Sequence, residues 1–205
     1  MQDKPEIPSA RNMVKLHDEL LVKWKKDGDC RAKTRGLPGW IEENHLRNIR
    51  LWQAEDKARR EDKGFEYVYR AKRAIDTFNQ QRNDFIEKMD AWLVQALNPP
   101  QTGCAFNSET PGMMIDRLSI LALKIYHMRR QTERADASKD HREACSRKLA
   151  ILTRQRQDLS GSLDTLLREV REGNRSFRVY YQFKMYNDPE LNPELYAKGS
   201  NANGA

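Results

Sequence analysis

Between Cys145 and Val170 the chain keeps one spacing. Cys145, Leu149, Leu152, Arg156, Leu159, Leu163, Leu166 and Val170 follow one another at alternating steps of four and three. That is a heptad seam with a single polar position, Arg156, and only an α-helix brings such residues into line. It predicts a helix from about Asp136 to Glu172, with Gly161 as a weak point inside it. A helix that long cannot bury its stripe alone. The seam therefore serves packing along a helical bundle or a coiled-coil homodimer, since the same logic drives both.

The rest of the chain reads the same way. Ser9 is placed to cap a first helix that runs to about Lys26, with Val14, Leu20, Leu21 and Trp24 on its apolar face. The stretch "DGDCRAKTRGLPG" has no periodicity and reads as a loop. A second helix is predicted from about Trp40 to Lys63, with Gly64 at its C-terminal end. A third, Phe65 to Leu97, carries Val68, Ile75, Ile86, Met89, Leu93 and Leu97 at helical spacing, and "NPPQTG" stops it.

The fourth helix lies within "NSETPGMMIDRLSILALKIYHM", Asn107 to Met128. Ser108 or Thr110 can cap it, and Pro111 suits its first turn. It is apolar almost all round, so it belongs at the centre of a bundle.

After Gly173 the period changes to two: Phe177, Val179, Tyr181, Phe183 and Met185 alternate with more polar neighbours. This predicts an extended arm with no sheet partner in the sequence, its aromatics pinning it to the bundle or pairing with another copy. The fold class expected is all-α: about five helices in an elongated bundle with an extended aromatic C-terminal arm. One domain is expected over residues 1–196, and a disordered tail over 197–205.

Composition narrows the setting. The 205 residues are 33% charged and 38% hydrophobic, a balance suited to long solvated helices. The net charge of +7 favours an anionic partner. The charges are mixed in sign, no nucleic-acid fold signature is present, and no specific nucleic-acid partner is expected. Cys30, Cys104 and Cys145 form no CxxC pair and fit a reducing compartment. No secretory signal and no apolar run of about 18–20 residues is present, so a cytoplasmic protein without a membrane span is expected.

Charges recur where apolar residues belong. The second helix carries His45, Asn48, Trp52, Asp56 and Arg59 three or four apart, with Glu55 beside them. The third carries Lys72, Asp76, Asn79, Arg82, Asn83 and Asp84. The fourth carries Asp116, Arg117 and Lys124. Burying a charge costs several kcal/mol unless it is paired, so an interior polar cluster is expected. It is either a structural network that fixes helix register or a ligand site at the bundle axis. As a site, Arg59, Lys72, Asn79, Arg82, Arg117 and Lys124 would bind a phosphorylated ligand. Glu55, Asp56, Asp76 and Asp116 could hold Mg²⁺. No Walker loop, GxGxxG or HExxH is present. His17, His45, His127 and His141 read as surface or packing residues, and Ser119 as a small packing residue.

The stretches "LWQAEDKARR", "KRAIDTFNQQRNDFIEKMD", "NSETPGMMIDRLSILALKIYHM" and "YQFKMYNDPELNPELY" together resemble the bacterial family known as domain of unknown function 4254, over about Trp40 to Tyr196. The resemblance brings no catalytic residues with it. It implies work beside the glycosyltransferases of lipopolysaccharide assembly. The expected function is an accessory or ligand-binding protein of cell-surface glycan assembly that holds a phosphorylated ligand such as a nucleotide sugar, with a glycosyltransferase as a further candidate partner. Two alternatives stand beside it. One is a Mg²⁺-dependent all-α phosphohydrolase similar to nucleotide pyrophosphatases, although their ExxE pairing is absent. The other is a helical scaffold with a purely structural network.

Overall fold

The computed structural model describes residues 6–27 and 34–196, and these build an all-α bundle. Five long helices follow one another: α1 (Ala10–Asp27), α2 (Gly36–Ala58), α3 (Phe65–Leu97), α4 (Pro111–Thr132) and α5 (Lys139–Arg171). A short α6 (Pro193–Tyr196) ends the described chain. The tail predicted to be disordered, 197–205, lies outside the described residues, as does Cys30.

Local chemistry explains the boundaries. Ser9 accepts the backbone N–H of Asn12 at 3.3 Å and caps α1. α2 begins four residues before the expected Trp40, because Pro38 falls in its first turn, where a missing N–H costs nothing. It ends at Ala58, not Lys63. Residues Glu61–Lys63 form one 3₁₀ turn, and Gly64 at φ 85° closes that turn and leads directly into α3. Asn98, left-handed at φ 46°, ends α3 by donating its N–H to Val94 O, with the prolines following. Of the two candidate caps for α4, Thr110 is the one used: its Oγ1 accepts Met113 N–H at 3.2 Å. Ser138 caps α5 three residues past its expected start.

α2 and α3 form one helical hairpin, and α4 and α5 a second. α1 packs against α2, α4 and α5, and α4 touches all four other long helices. The central place expected for α4 is therefore the one it occupies. Met13, Leu37, Ile41, Met89, Leu93, Ile115, Leu118 and Leu163 make the driest part of the core. The α5 seam is used within the chain: Leu159, Leu163, Leu166 and Val170 are buried in that core. The polar seam position is satisfied too, since Arg156 donates to both carboxylate oxygens of Asp18 on α1, at 2.7 and 3.2 Å. No helix among the described residues is long and apolar enough to cross a membrane.

The arm departs from its sequence pattern. It does have a sheet partner: β1 (Ala105–Phe106) and β2 (Arg175–Ser176) pair in parallel, just ahead of the alternating segment. Phe177 is buried. Beyond Val179 the large apolar side chains face solvent, with Tyr181, Phe183, Met185 and Tyr186 between 56% and 83% exposed. They do not pin the arm to the bundle.

One contact sets how closely α3 and α4 approach. Asp90 of α3 is 1% exposed and sits on the N-terminus of α4. Its Oδ1 accepts Gly112 N–H at 2.7 Å, and its Oδ2 is hydrogen-bonded to Thr110 Oγ1. It thereby satisfies donors that the start of a helix leaves without intrahelical partners. A Cβ on Gly112 would lie 2.7 Å from Asp90 Oδ1 and 2.8 Å from Ile86 O. The Ile86 carbonyl belongs to α3 and cannot swing aside. Gly112→Ala should therefore destabilise the fold by about 1–3 kcal/mol, the usual cost of overpacking. Urea unfolding checks this; an unchanged midpoint would mean that the helices separate freely.

Candidate functional site

Spacing on two helices brings the buried polar residues together. Asn44 and Asn48 lie four apart on α2, and Asp116 and Ser119 three apart on α4, so each pair shares a face. Those faces meet. Asp116 Oδ1 accepts Asn44 Nδ2 at 3.0 Å and Asn48 Nδ2 at 2.9 Å. Asn48 Nδ2 also reaches Ser119 Oγ at 2.9 Å, and Ser119 Oγ is 2.7 Å from His45 Nδ1. Ser119 is thus a link in a network and not merely a small packing residue. Behind it, His17 of α1 stacks on His45 with ring centroids 4.7 Å apart, both fully buried. Burial pushes the His45 pKa down to about 3. Burial, first, and then the nearness of His45 and of the Arg156 cation, hold His17 well below its ordinary value.

The network ends at a groove. Arg82 of α3 places its Nε 3.9 Å from Asp116 Oδ1, and that Nε is buried without a hydrogen-bond partner. Arg82 lines a groove of about 390 Å³ between α2, α3 and α4, with Asn48, Trp52, Glu55, Asp56, Arg59 and Asn79. Leu51, Ile120 and Leu123 supply its apolar lining. Trp52 is fixed by a nearly parallel stack with His127, centroids 4.3 Å apart and planes at 5°. Burial lowers the His127 pKa, against the pull of Asp56. Arg59 reaches Glu55 at 2.8 Å.

The residues singled out in the sequence divide. Glu55, Asp56, Arg59, Asn79 and Arg82 line this groove, and Asp116 lies beneath it through Asn48. Arg117 and Lys124 line a different groove, between α4 and α5, where Arg117 pairs with Glu109. Asp76 pairs with Arg73 at 2.7 Å. Lys72 is exposed. The four carboxylates proposed for Mg²⁺ are thus not gathered. Only Glu55 and Asp56 share the groove wall, and among the described residues no group of three or more His, Cys, Asp and Glu side chains is set to hold a metal ion. Asn44 and Asp90 escaped the sequence reading, whereas His17, read as a surface or packing residue, is a packing residue. Asn44 lies four residues before Asn48, and that spacing was the available signal.

The chain belongs to the family described as "Protein of unknown function (DUF4254)", which matches residues 39–179. That span holds every residue of the groove and every member of the network except His17. No curated protein and no solved structure matches the chain.

The buried groups predict how stability responds to pH. His17 and His45 stay neutral in the fold, whereas the unfolded chain takes up protons near pH 6.5. Their contribution is complete above that value and is lost as pH falls toward about 3, where His45 titrates. Asp90 works the other way: burial raises its carboxyl to about 7, so its contribution is complete in acid and is lost as pH rises from about 4 to 7. Two fully buried histidines, with His127 lowered in the same direction, oppose one aspartate. The chain should lose stability between pH 6.5 and 4.5, at about 1.4 kcal/mol per pH unit from the excess of one buried histidine, with His127 adding to it. Urea unfolding across that range should show a flatter slope in His45→Asn and a steeper one in Asp90→Asn. Equal slopes in all three proteins would contradict the assignment.

Proposed function

We propose that this member of the DUF4254 family is a ligand-binding protein whose α2–α3–α4 groove holds a phosphorylated small molecule such as a nucleotide sugar. It works in the cytoplasm as an accessory of cell-surface glycan assembly, beside the glycosyltransferases that consume such donors. The single observation that carries the reading is Arg82. Its guanidinium is held in the groove wall by Asp116, which Asn44 and Asn48 hold in turn, and its Nε–H is out of water with no protein acceptor. A guanidinium fixed in place, with 27% of its side chain exposed along a half-buried wall, suits an anionic oxygen. Asn48 and Asn79 add neutral polar groups, and Glu55 and Asp56 can accept from hydroxyls. A few such groups among apolar ones is the usual make-up of a small-molecule site.

The test is a thermal-shift panel of nucleoside diphosphates and nucleotide sugars. A ligand that binds only the folded chain adds about 2.7 kcal/mol at a hundredfold excess over its dissociation constant. At least one compound should raise the melting temperature, and Arg82→Ala and Asp116→Asn, both still folded by circular dichroism, should abolish the shift. A panel without any shift, or one whose shift survives both variants, overturns the reading.

A further inference from the structure

Trp52 stands in the groove wall among polar neighbours. It lies one turn beyond Asn48 on the same face of α2 and one turn before Asp56, and all three line the groove. Its indole is half-buried and stacks on His127 of α4, with ring centroids 4.3 Å apart and planes 5° from parallel. Tyr126 meets the same imidazole edge-on at 5.2 Å, so His127 is held from two sides. His127 itself does not line the groove, and Trp52 therefore turns toward it what the imidazole leaves uncovered. Burial keeps His127 neutral at pH 7, so the stack joins two flat uncharged rings. Leu51 and Leu123 add apolar surface to the same wall. An indole already locked by one parallel partner loses little freedom on taking a second, and a flat aromatic ring is the partner that suits it. Asn48, whose amide holds Asp116 beside Arg82, lies about 6 Å along α2 from Trp52. The cation and the indole thus share one groove of about 390 Å³, within the range of small-molecule sites.

We propose that Trp52 is the platform on which the groove stacks a nucleobase, so that its phosphorylated ligand is a nucleotide and not a simple sugar phosphate or an inorganic anion. The inference rests on the phosphate reading of the groove. Arg82 meets a phosphoryl oxygen, the indole meets the base, and Asp56 accepts from the pentose hydroxyls. Glu55, tied to Arg59, is the less available acceptor. Every base has a π-face, so the platform sets the class of ligand and leaves the choice of base to other contacts.

Isothermal titration of the full chain with pyrophosphate, uridine diphosphate and adenosine diphosphate tests it. The wild type should bind both nucleotides roughly tenfold or more tighter than pyrophosphate, as for one base stacked on an aromatic ring. Trp52→Leu, still folded by circular dichroism, should remove that advantage while it binds pyrophosphate as the wild type does. Because Trp52 also packs on His127, Trp52→Phe is the milder variant, and it should keep part of the advantage. The nucleotides should quench the tryptophan fluorescence of the wild type, and Trp52→Phe should lose the quench while it still binds. If all three anions bind alike, or if the nucleotide advantage survives Trp52→Leu or the quench survives Trp52→Phe, the platform is overturned and the groove stands. If the wild type binds none of the three, the groove reading falls and this inference with it.

Discussion

The carboxylate of Asp116 has to be solvated by protein. It sits on α4, the helix every other long helix touches, with only 6% of the residue exposed. Leaving such a charge uncompensated would cost several kcal/mol, a large share of the stability of any single domain. Two amides from α2 and a guanidinium from α3 meet the need. The two amide hydrogen bonds fix α2 against α4, so the rise and rotation of α2 are set where Asn44 and Asn48 meet Oδ1 of Asp116. A shift of one residue would turn both amides away. The same requirement draws Arg82 inward at the groove. The groove cation is thus a by-product of the way the central charge is stabilised.

A second tie holds α3 to α4. Asp90 meets Gly112, and Arg82 meets Asp116. Rising numbers on α3 meet falling numbers on α4, so the helices run antiparallel there. The two anchor points lie eight residues apart on α3, about 12 Å, but four apart on α4, about 6 Å. The long side chain of Arg82 spans the difference. A shorter cation at that position could not touch Asp116 and face the groove together. Close approach at Gly112 and long reach at Arg82 therefore belong to one geometry, narrow at the helix start and open at the groove.

Much of this fold was legible in the sequence. Periodicity located all five long helices, because a stripe of apolar residues has one solution on a helix. The all-round apolar character of α4 marked it as central, and Thr110 before Pro111 marked its start. Boundaries slipped where turns imitate helices, as at Lys63, or where helices begin on residues that read as loop, as at Gly36 and Pro38. Half of the polar cluster was legible: charge on an apolar stripe identified Asp116, Arg82 and Asn48. Its division was not. Asp116 and Arg117 are adjacent in sequence but about 100° apart around the helix, so one enters the network and the other a separate groove. No spacing within α4 reveals which neighbour each direction meets. Asp90 lay hidden because it caps a helix twenty residues on, and capping across helices leaves no local pattern.

The arm shows how far an alternating pattern reaches. A period of two sorts residues into two faces but leaves open which face turns inward. Apolar burial would choose Tyr181, Phe183 and Met185. The surface that receives the arm chooses otherwise. Glu87 of α3 presents a carboxylate to the arm, and the rings of Tyr181 and Phe183 are left in solvent. The backbone N–H of Gln182 finds a carboxylate there, and of the residues from Tyr181 to Tyr186 only Lys184 turns partly inward. The charged flank of α3 thus orients the arm as surely as a core orients a strand. It does so by matching polar groups, and that turns a basic residue partly inward where the pattern alone would have put an aromatic one.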